Sequence, residues 1–187
     1  MKRYIRSLIC LLYSFLKFYF LKLFHFKTFL FTNFNLVSPF TEIEIEKKGT
    51  LILKKMIRIR SGSKIKVRNG GKVVIGKNTS LNHGCMIISR ESISIGEDTQ
   101  IGPNVLIYDH DHKFKKEHEL KNLLFETSPV TIGKNVWIGA NVVILRGTDI
   151  GDNCVIGAGS IIKGDFPANS LIVQKRETTV KEFRQIN

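Results

Sequence analysis

From residue 75 onward an aliphatic residue recurs every six positions, with Asn, Asp or Gly three places after it. The steps open at Ile75, Leu81, Ile95, Ile101, Ile132, Ile138, Ile144, Ile150, Ile156 and Ile162. Their fourth residues are Asn78, Gly84, Asp98, Asn104, Asn135, Asn141, Gly147, Asn153, Gly159 and Asp165. Average composition puts one of these three types at a given place about one time in six, so an unbroken set is a pattern. They are also the residues that reach φ > 0 at least cost. The next place holds a small or β-branched residue almost throughout, as at Thr79, Cys85, Thr99, Val136, Thr148, Cys154 and Ser160. Neither an alternating strand nor a 3.6-residue helix keeps a corner-former at a fixed six-residue phase. The pattern predicts an all-β solenoid of short parallel strands and tight corners, three steps to a triangular coil. Its centre is one side chain wide, so Asp at Ile138 or Ile156 would bury an unpaired charge and unfold the region.

The repeat breaks twice. The step from Ile87 has Arg90 at the corner place and runs on to Ile95. The step from Ile107 has His110 there, and no regular step follows until Ile132. Between them lies Tyr108-Asp109-His110-Asp111-His112 and a charged stretch to Pro129, an extruded loop over residues 108–131. Long loops on regular scaffolds tend to carry function, and a locally consistent sequence breaks its own rules at functional sites.

Composition adds an N-terminal appendage. Of the net charge of +13, residues 1–40 supply six cations, Lys2, Arg3, Arg6, Lys17, Lys22 and Lys27, and no acid. The same segment holds nine of the thirteen Phe. The uncharged run ahead of Lys17, Ser7 to Leu16, is ten residues, about half the roughly twenty that span a bilayer. No small-residue cleavage site follows that run. Two readings of this basic, aromatic helical segment stand open: it lies in a membrane interface, or it caps the unpaired end of the solenoid. No recognised nucleic-acid module is present. Residues 41–74 alternate apolar and polar positions and read as irregular first coils, residues 75–173 as the regular β-helix, and 174–187 as a tail. Cys10, Cys85 and Cys154 have no metal-type spacing. Two of them sit at the small corner-adjacent place, which reads as reduced core filler and a cytoplasmic chain.

Three runs carry a family resemblance: Ile101-Gly102-Pro103-Asn104-Val105, Val130 to Ala140 (VTIGKNVWIGA), and Gly151 to Ser160 (GDNCVIGAGS). Over about residues 78–169 the chain resembles the left-handed β-helix, hexapeptide-repeat acyltransferases. Among these it is similar to the maltose and galactoside O-acetyltransferases and to those that acetylate capsule and lipopolysaccharide sugars. The helical N-terminal domain of the maltose type is missing, and residues 1–40 look like the polysaccharide-acetylating branch instead.

The resemblance implies acetyl-CoA as acyl donor, a homotrimer with CoA between neighbouring solenoids, a glycan or lipid-linked saccharide as acceptor, and no metal. It implies a loop histidine as general base. Nine places after Pro103, the family's register falls on His112; the same register puts Asn82 on the acceptor-contacting asparagine. His110 is the rival base, because this chain has Asp-His-Asp-His where galactoside-type enzymes have one histidine and a proline. Imidazole titrates near neutral pH and contributes typically about 10²–10⁴-fold as a general base. Asp109 or Asp111 beside it would fix its tautomer, unless each simply forms a turn. Tyr108 joins Asn82 as a candidate acceptor contact. Ala140 and Ala158 fall where the family brings the pantetheine arm close to backbone, and Trp137 begins the strand lining the loop. Lys163, Lys175 and Arg176 are candidate phosphate contacts. Transfer to an amino sugar or a small xenobiotic is the alternative within the family. Outside it stands a gamma-class carbonic anhydrase using His83, His110 and His112, whose His-x-His pair is narrower than that family's spacing. Activity on the inner face of the membrane is consistent with the basic N-terminus.

Overall fold

Ile101 pairs with Leu81 on one side and Ile138 on the other, and Ile138 pairs with Ile156, so the aliphatics of successive coils lie directly over one another. All are buried to within a few per cent. The computed structural model describes residues 2–175 and 177–181 and is a left-handed parallel β-helix with a helix at its N-terminal end. The first face stacks Phe29–Phe31, Thr50–Leu53, Lys72–Ile75, Ser92–Ile95, Val130–Ile132, Asp149–Ile150 and Asp165–Phe166. The second stacks Leu36–Val37, Arg58–Ile59, Ser80–Leu81, Gln100–Ile101, Trp137–Ile138, Val155–Ile156 and Leu171–Ile172. The third stacks Glu42–Ile45, Lys64–Val67, Met86–Ser89, Leu106–Tyr108, Val143–Ile144 and Ile161–Ile162.

The corners behave as their residue types dictate. Nine of the ten predicted corner residues have positive φ, from 53° at Asn135 to 72° at Gly147 and Gly159. Asp165 is the exception: the turn has moved to Gly164, with φ of 107°, and Asp165 opens the next strand. The residue after each of these nine corners is buried, and at several levels its polar side chain bonds the next coil. Thr79 Oγ1 donates to the Gly96 carbonyl at 2.9 Å, Thr99 Oγ1 to Gly133 at 3.0 Å, and the thiol of Cys85 to Gly102 at 3.1 Å. Outside, asparagine amides run a second ladder, Asn104 to Asn141 at 3.2 Å and Asn135 to Asn153 at 3.0 Å. The glycine after the leading isoleucine is a close-approach residue: a Cβ on Gly96 would stand 2.4 Å from the Gly133 carbonyl oxygen.

The coils begin earlier than the hexads do. Phe29 pairs with Leu51 and Leu51 with Val73, 22 residues apart each time, whereas Ile132 pairs with Ile150 after 18. Residues 29–74 are therefore in register with the rest. Longer strands break their six-residue phase, and two corners there are made by Phe34 and Met56, at φ of 68° and 63°.

The helix spans Lys2–Phe24 and stops short of the forty residues read as one segment. It lies across the first coil. The Phe18 ring packs edge-on to Phe29 and Phe31 at 5.3 and 5.1 Å. Ser14 Oγ accepts from the Val37 amide at 2.7 Å, while Lys17 and Lys22 donate to the carbonyls of Thr41 and Phe29 at 2.5 and 2.7 Å. The edge that would otherwise present unpaired backbone is thus satisfied. Burial holds the Lys17 amine below its ordinary range, with Glu42 opposing. At the other end the Gln174 side-chain amide acts as a false strand, accepting from Ile161 N at 2.9 Å and donating to Ile161 O at 2.6 Å.

Candidate active site

The extruded segment leaves the corner between the third and first faces as a two-stranded antiparallel hairpin, His110–His112 against Phe125–Thr127. Its root is Asp109, whose side chain is wholly buried. That carboxylate accepts from Ser89 Oγ at 2.7 Å, from the amides of Arg90 and Glu91 at 2.8 Å each, and faces His110 Nδ1 at 3.0 Å. Burial alone would raise its pKa. The hydrogen bonds from His110, the Arg90 amide, Ser89 and the Glu91 amide outweigh that and hold the carboxyl below its ordinary range. Every lone pair is occupied, so Asp109 and His110 form a brace. The His110 ring is mostly buried between Tyr108 and Phe125, edge-on to both.

His112, two residues on, is exposed and rests on the Phe125 ring at 4.5 Å. Of the two aspartates expected to orient a loop imidazole, Asp109 meets His110, the rival base, rather than His112. Asp109 is spent on His110, and Asp111 turns to Arg146, whose Nε donates to it at 2.6 Å. The same guanidinium reaches Glu126 at 2.8 Å on the partner strand. Alternation along a strand explains the split: 110 and 112 share one side of the hairpin, and Asp111 points to the other. Arg146, Glu126 and Phe125 were missed from sequence, because nothing in their local spacing relates them to the histidines. Arg90 did carry a signal, as a corner-breaker. Its guanidinium stacks 3.4 Å from the Phe125 centroid and its buried Nε has no hydrogen-bond partner among the described residues.

The remaining predicted residues divide between two edges of the prism. Asn82, Ala140 and Ala158 lie along the corner between the second and third faces, Ala140 and Ala158 on successive levels and Asn82 two levels before Ala140. Asn82 Oδ1 accepts from the His83 amide at 2.9 Å, and Ala140 and Ala158 are half-buried and exposed. Trp137, 61% exposed, leads a second-face strand between Gln100 and Val155. Lys163 is exposed on the hairpin edge, above Arg146. The Tyr108 hydroxyl is directed at Met86 Sδ, 3.3 Å away, and burial raises its pKa. Lys175 is exposed in the tail, and Arg176 lies outside the described residues. In one chain the width of the third face, about 17 Å for five residues at ~3.3 Å each, separates the Asn82 edge from the hairpin. His83 is on the Asn82 edge, its Nδ1 2.8 Å from Ser61 Oγ, and does not meet His110 or His112. Among the described residues no three His, Cys, Asp or Glu are grouped as a metal would require.

Comparison with known proteins agrees with this fold. A family model described as the hexapeptide repeat of succinyl-transferase matches residues 129–163. Galactoside O-acetyltransferase of Escherichia coli K12 is 38% identical over 131 residues, 67% of this chain and 64% of that protein. A second protein of that organism, assigned as the lipopolysaccharide-biosynthesis O-acetyl transferase WbbJ, is 36% identical over 60% of this chain and 62% of its own length. The chain thus spans a little under two thirds of these curated relatives. A solved galactoside acetyltransferase in complex with coenzyme A superposes with a TM-score of 0.50 at 30% identity, over 75% of this chain and 61% of that one.

Proposed function

Taking as premise that the chain belongs to the hexapeptide-repeat acyltransferases, we propose that it is an acetyl-CoA-dependent O-acetyltransferase acting on a saccharide hydroxyl. The acceptor is a cell-surface polysaccharide or its lipid-linked precursor, the reading supported by likeness to the WbbJ protein. One observation carries the mechanism: the exposed imidazole of His112 stands on a braced hairpin, while Asn82, Ala140 and Ala158 line a different edge of the same prism. Hairpin and edge complete one site only when a neighbouring copy brings its Asn82 edge to this hairpin, so the enzyme works as a trimer.

In the reaction His112 takes the proton of the acceptor hydroxyl as its oxygen attacks the thioester carbonyl carbon. The carbon–sulfur bond breaks, and the imidazolium returns the proton to the departing CoA thiolate. Asn82 orients the acceptor. The small side chains at 140 and 158 let the pantetheine arm approach backbone, with Trp137 along its path. Lys163, Lys175 and Arg176 supply positive charge for the nucleotide phosphates. Base catalysis accounts for about 10²–10⁴-fold, and orientation in the cleft supplies the rest. A donor drawn from the cytoplasmic acetyl-CoA supply supports a reading in which the reaction is cytoplasmic.

The test is transfer from labelled acetyl-CoA to a panel of saccharides. His112→Ala is expected to lower kcat by about 10²–10⁴-fold with CoA affinity and oligomeric state kept. Loss with His110→Ala alone, in a protein whose hairpin is intact, would make the Asp109–His110 pair the base instead. Stoichiometric zinc with no transfer to any saccharide would overturn the reading.

A further inference from the structure

The helix Lys2–Phe24 uses its polar residues in an unusual direction. Both lysines in its second half, Lys17 and Lys22, turn inward onto solenoid carbonyls, and Ser14 does the same beneath them. Among the described side chains of the helix, the outward face is therefore left without charge. Leu8, Leu12 and Leu16 form one row, each more than half exposed, with Ile5, Ile9, Phe20 and Leu23 beside them. The apolar surface continues past the helix on both sides. Phe34 and Phe31 share a groove of about 360 Å³ with Leu11, Leu12, Phe15 and Phe18, and Phe40 borders the hollow beside Ile5 and Ile9. A contiguous face of this kind is beyond what a soluble monomer leaves in water.

We propose that this face lies flat in the interface of a bilayer that contains anionic lipids. Three observations favour a lipid surface over a second copy of the chain. The cationic positions 2, 3, 6 and 27 bracket the apolar row at its two ends, and residues 1–40 contain no acid to oppose headgroups. The first helical turn has no acidic residue to meet the helix dipole, a role anionic headgroups take over. The groove beside Phe34 is apolar and open, as an acyl chain requires. By length and composition Ser7–Phe24 is able to cross a membrane. Upright insertion, however, would strip Lys17, Lys22 and the Val37 amide of their partners and bury two ammonium groups in hydrocarbon. In-plane docking keeps every one of those bonds.

The experiment is co-sedimentation of the full chain with vesicles of phosphatidylcholine alone, and with one third phosphatidylglycerol. Binding is expected on both, at least about tenfold tighter with the anionic lipid. A variant with Leu8→Ser, Leu12→Ser and Leu16→Ser, which touches no inward residue, is expected to lose at least about tenfold in partitioning. Its circular dichroism and CoA binding should stay unchanged. Failure of the wild-type chain to bind either vesicle overturns the proposal. So does a concentration-dependent assembly, in the absence of lipid, that the triple variant abolishes, since the face would then be a contact between copies. Protection of residues 1–6 from added protease on sealed vesicles would overturn the in-plane orientation. None of these outcomes depends on whether the chain transfers acetyl groups.

Discussion

Arg146 Nε donates to Asp111 Oδ2 at 2.6 Å across 35 residues of sequence, and the same side chain reaches Glu126 at 2.8 Å. One guanidinium from the following coil thus holds both strands of the hairpin that displays His112. The side chain is 17% exposed and its partners about half exposed, so the pairs add little to global stability, within about 1 kcal/mol. Their effect is positional. Arg146→Ala is expected to lower kcat by about 10²-fold while melting temperature and CoA affinity barely move, with Arg146→Lys restoring part of the loss. Faster amide exchange confined to residues 110–127 would identify the cause. A large drop in melting temperature would show instead that the clamp is structural.

Asp109 sets a pH dependence whose sign follows from its surroundings. Its folded pKa is held below the ordinary carboxylate value of 3.8 by the hydrogen bonds it accepts. Such a group adds stability above its unfolded pKa and loses that contribution as pH falls through the folded value. Asp109→Asn is therefore expected to be destabilised by about 2 kcal/mol at neutral pH. The gap to wild type should close as pH falls below about 4. Thermal melts of both proteins from pH 7 to pH 3 test this, and a gap independent of pH would mean the carboxylate is not charged in the fold.

The corner residues allow a cleaner test of backbone conformation. Asn135 has a φ of 53° and its amide bonds Asn153 at 3.0 Å. Asn135→Ala loses the bond and adds the left-handed penalty of about 1–2 kcal/mol, whereas Asn135→Gly loses only the bond. The alanine variant is expected to be the less stable of the two by about 1 kcal/mol in denaturant titration. Equal stabilities would show that the corner relaxes.

These corners also explain which parts of the fold were legible in sequence. Where Asn, Asp or Gly makes the turn every six residues, as from Asn78 to Gly159, the phase of the coil can be read directly. In the first coils Phe34 and Met56 take the left-handed position and strands lengthen to four residues, so the same architecture loses its signature. The site divided in the same way. Asp109, His110, Asp111 and His112 stand together in sequence and announce themselves by breaking the repeat. Which carboxylate meets which ring depends on strand alternation and on Arg146, which arrives from a later coil. Local spacing holds neither fact.

A solenoid contacts only its neighbours along the axis, so damage at one end should stay there. Phe18 is the main apolar contact of the helix with the first coil, its ring within 5.3 Å of both Phe29 and Phe31. Truncation to alanine removes a fully buried aromatic, a change that typically costs about 3–5 kcal/mol. With the helix loosened, the edge carbonyls of Phe29 and Thr41 lose Lys22 and Lys17. Phe18→Ala is expected to abolish hydrogen-exchange protection over residues 29–45 while residues 130–162 remain protected. Ile138→Ala should give the opposite pattern, opening the central coils with the helix still docked. Uniform loss of protection in either variant would mean that the coils unfold as one cooperative unit.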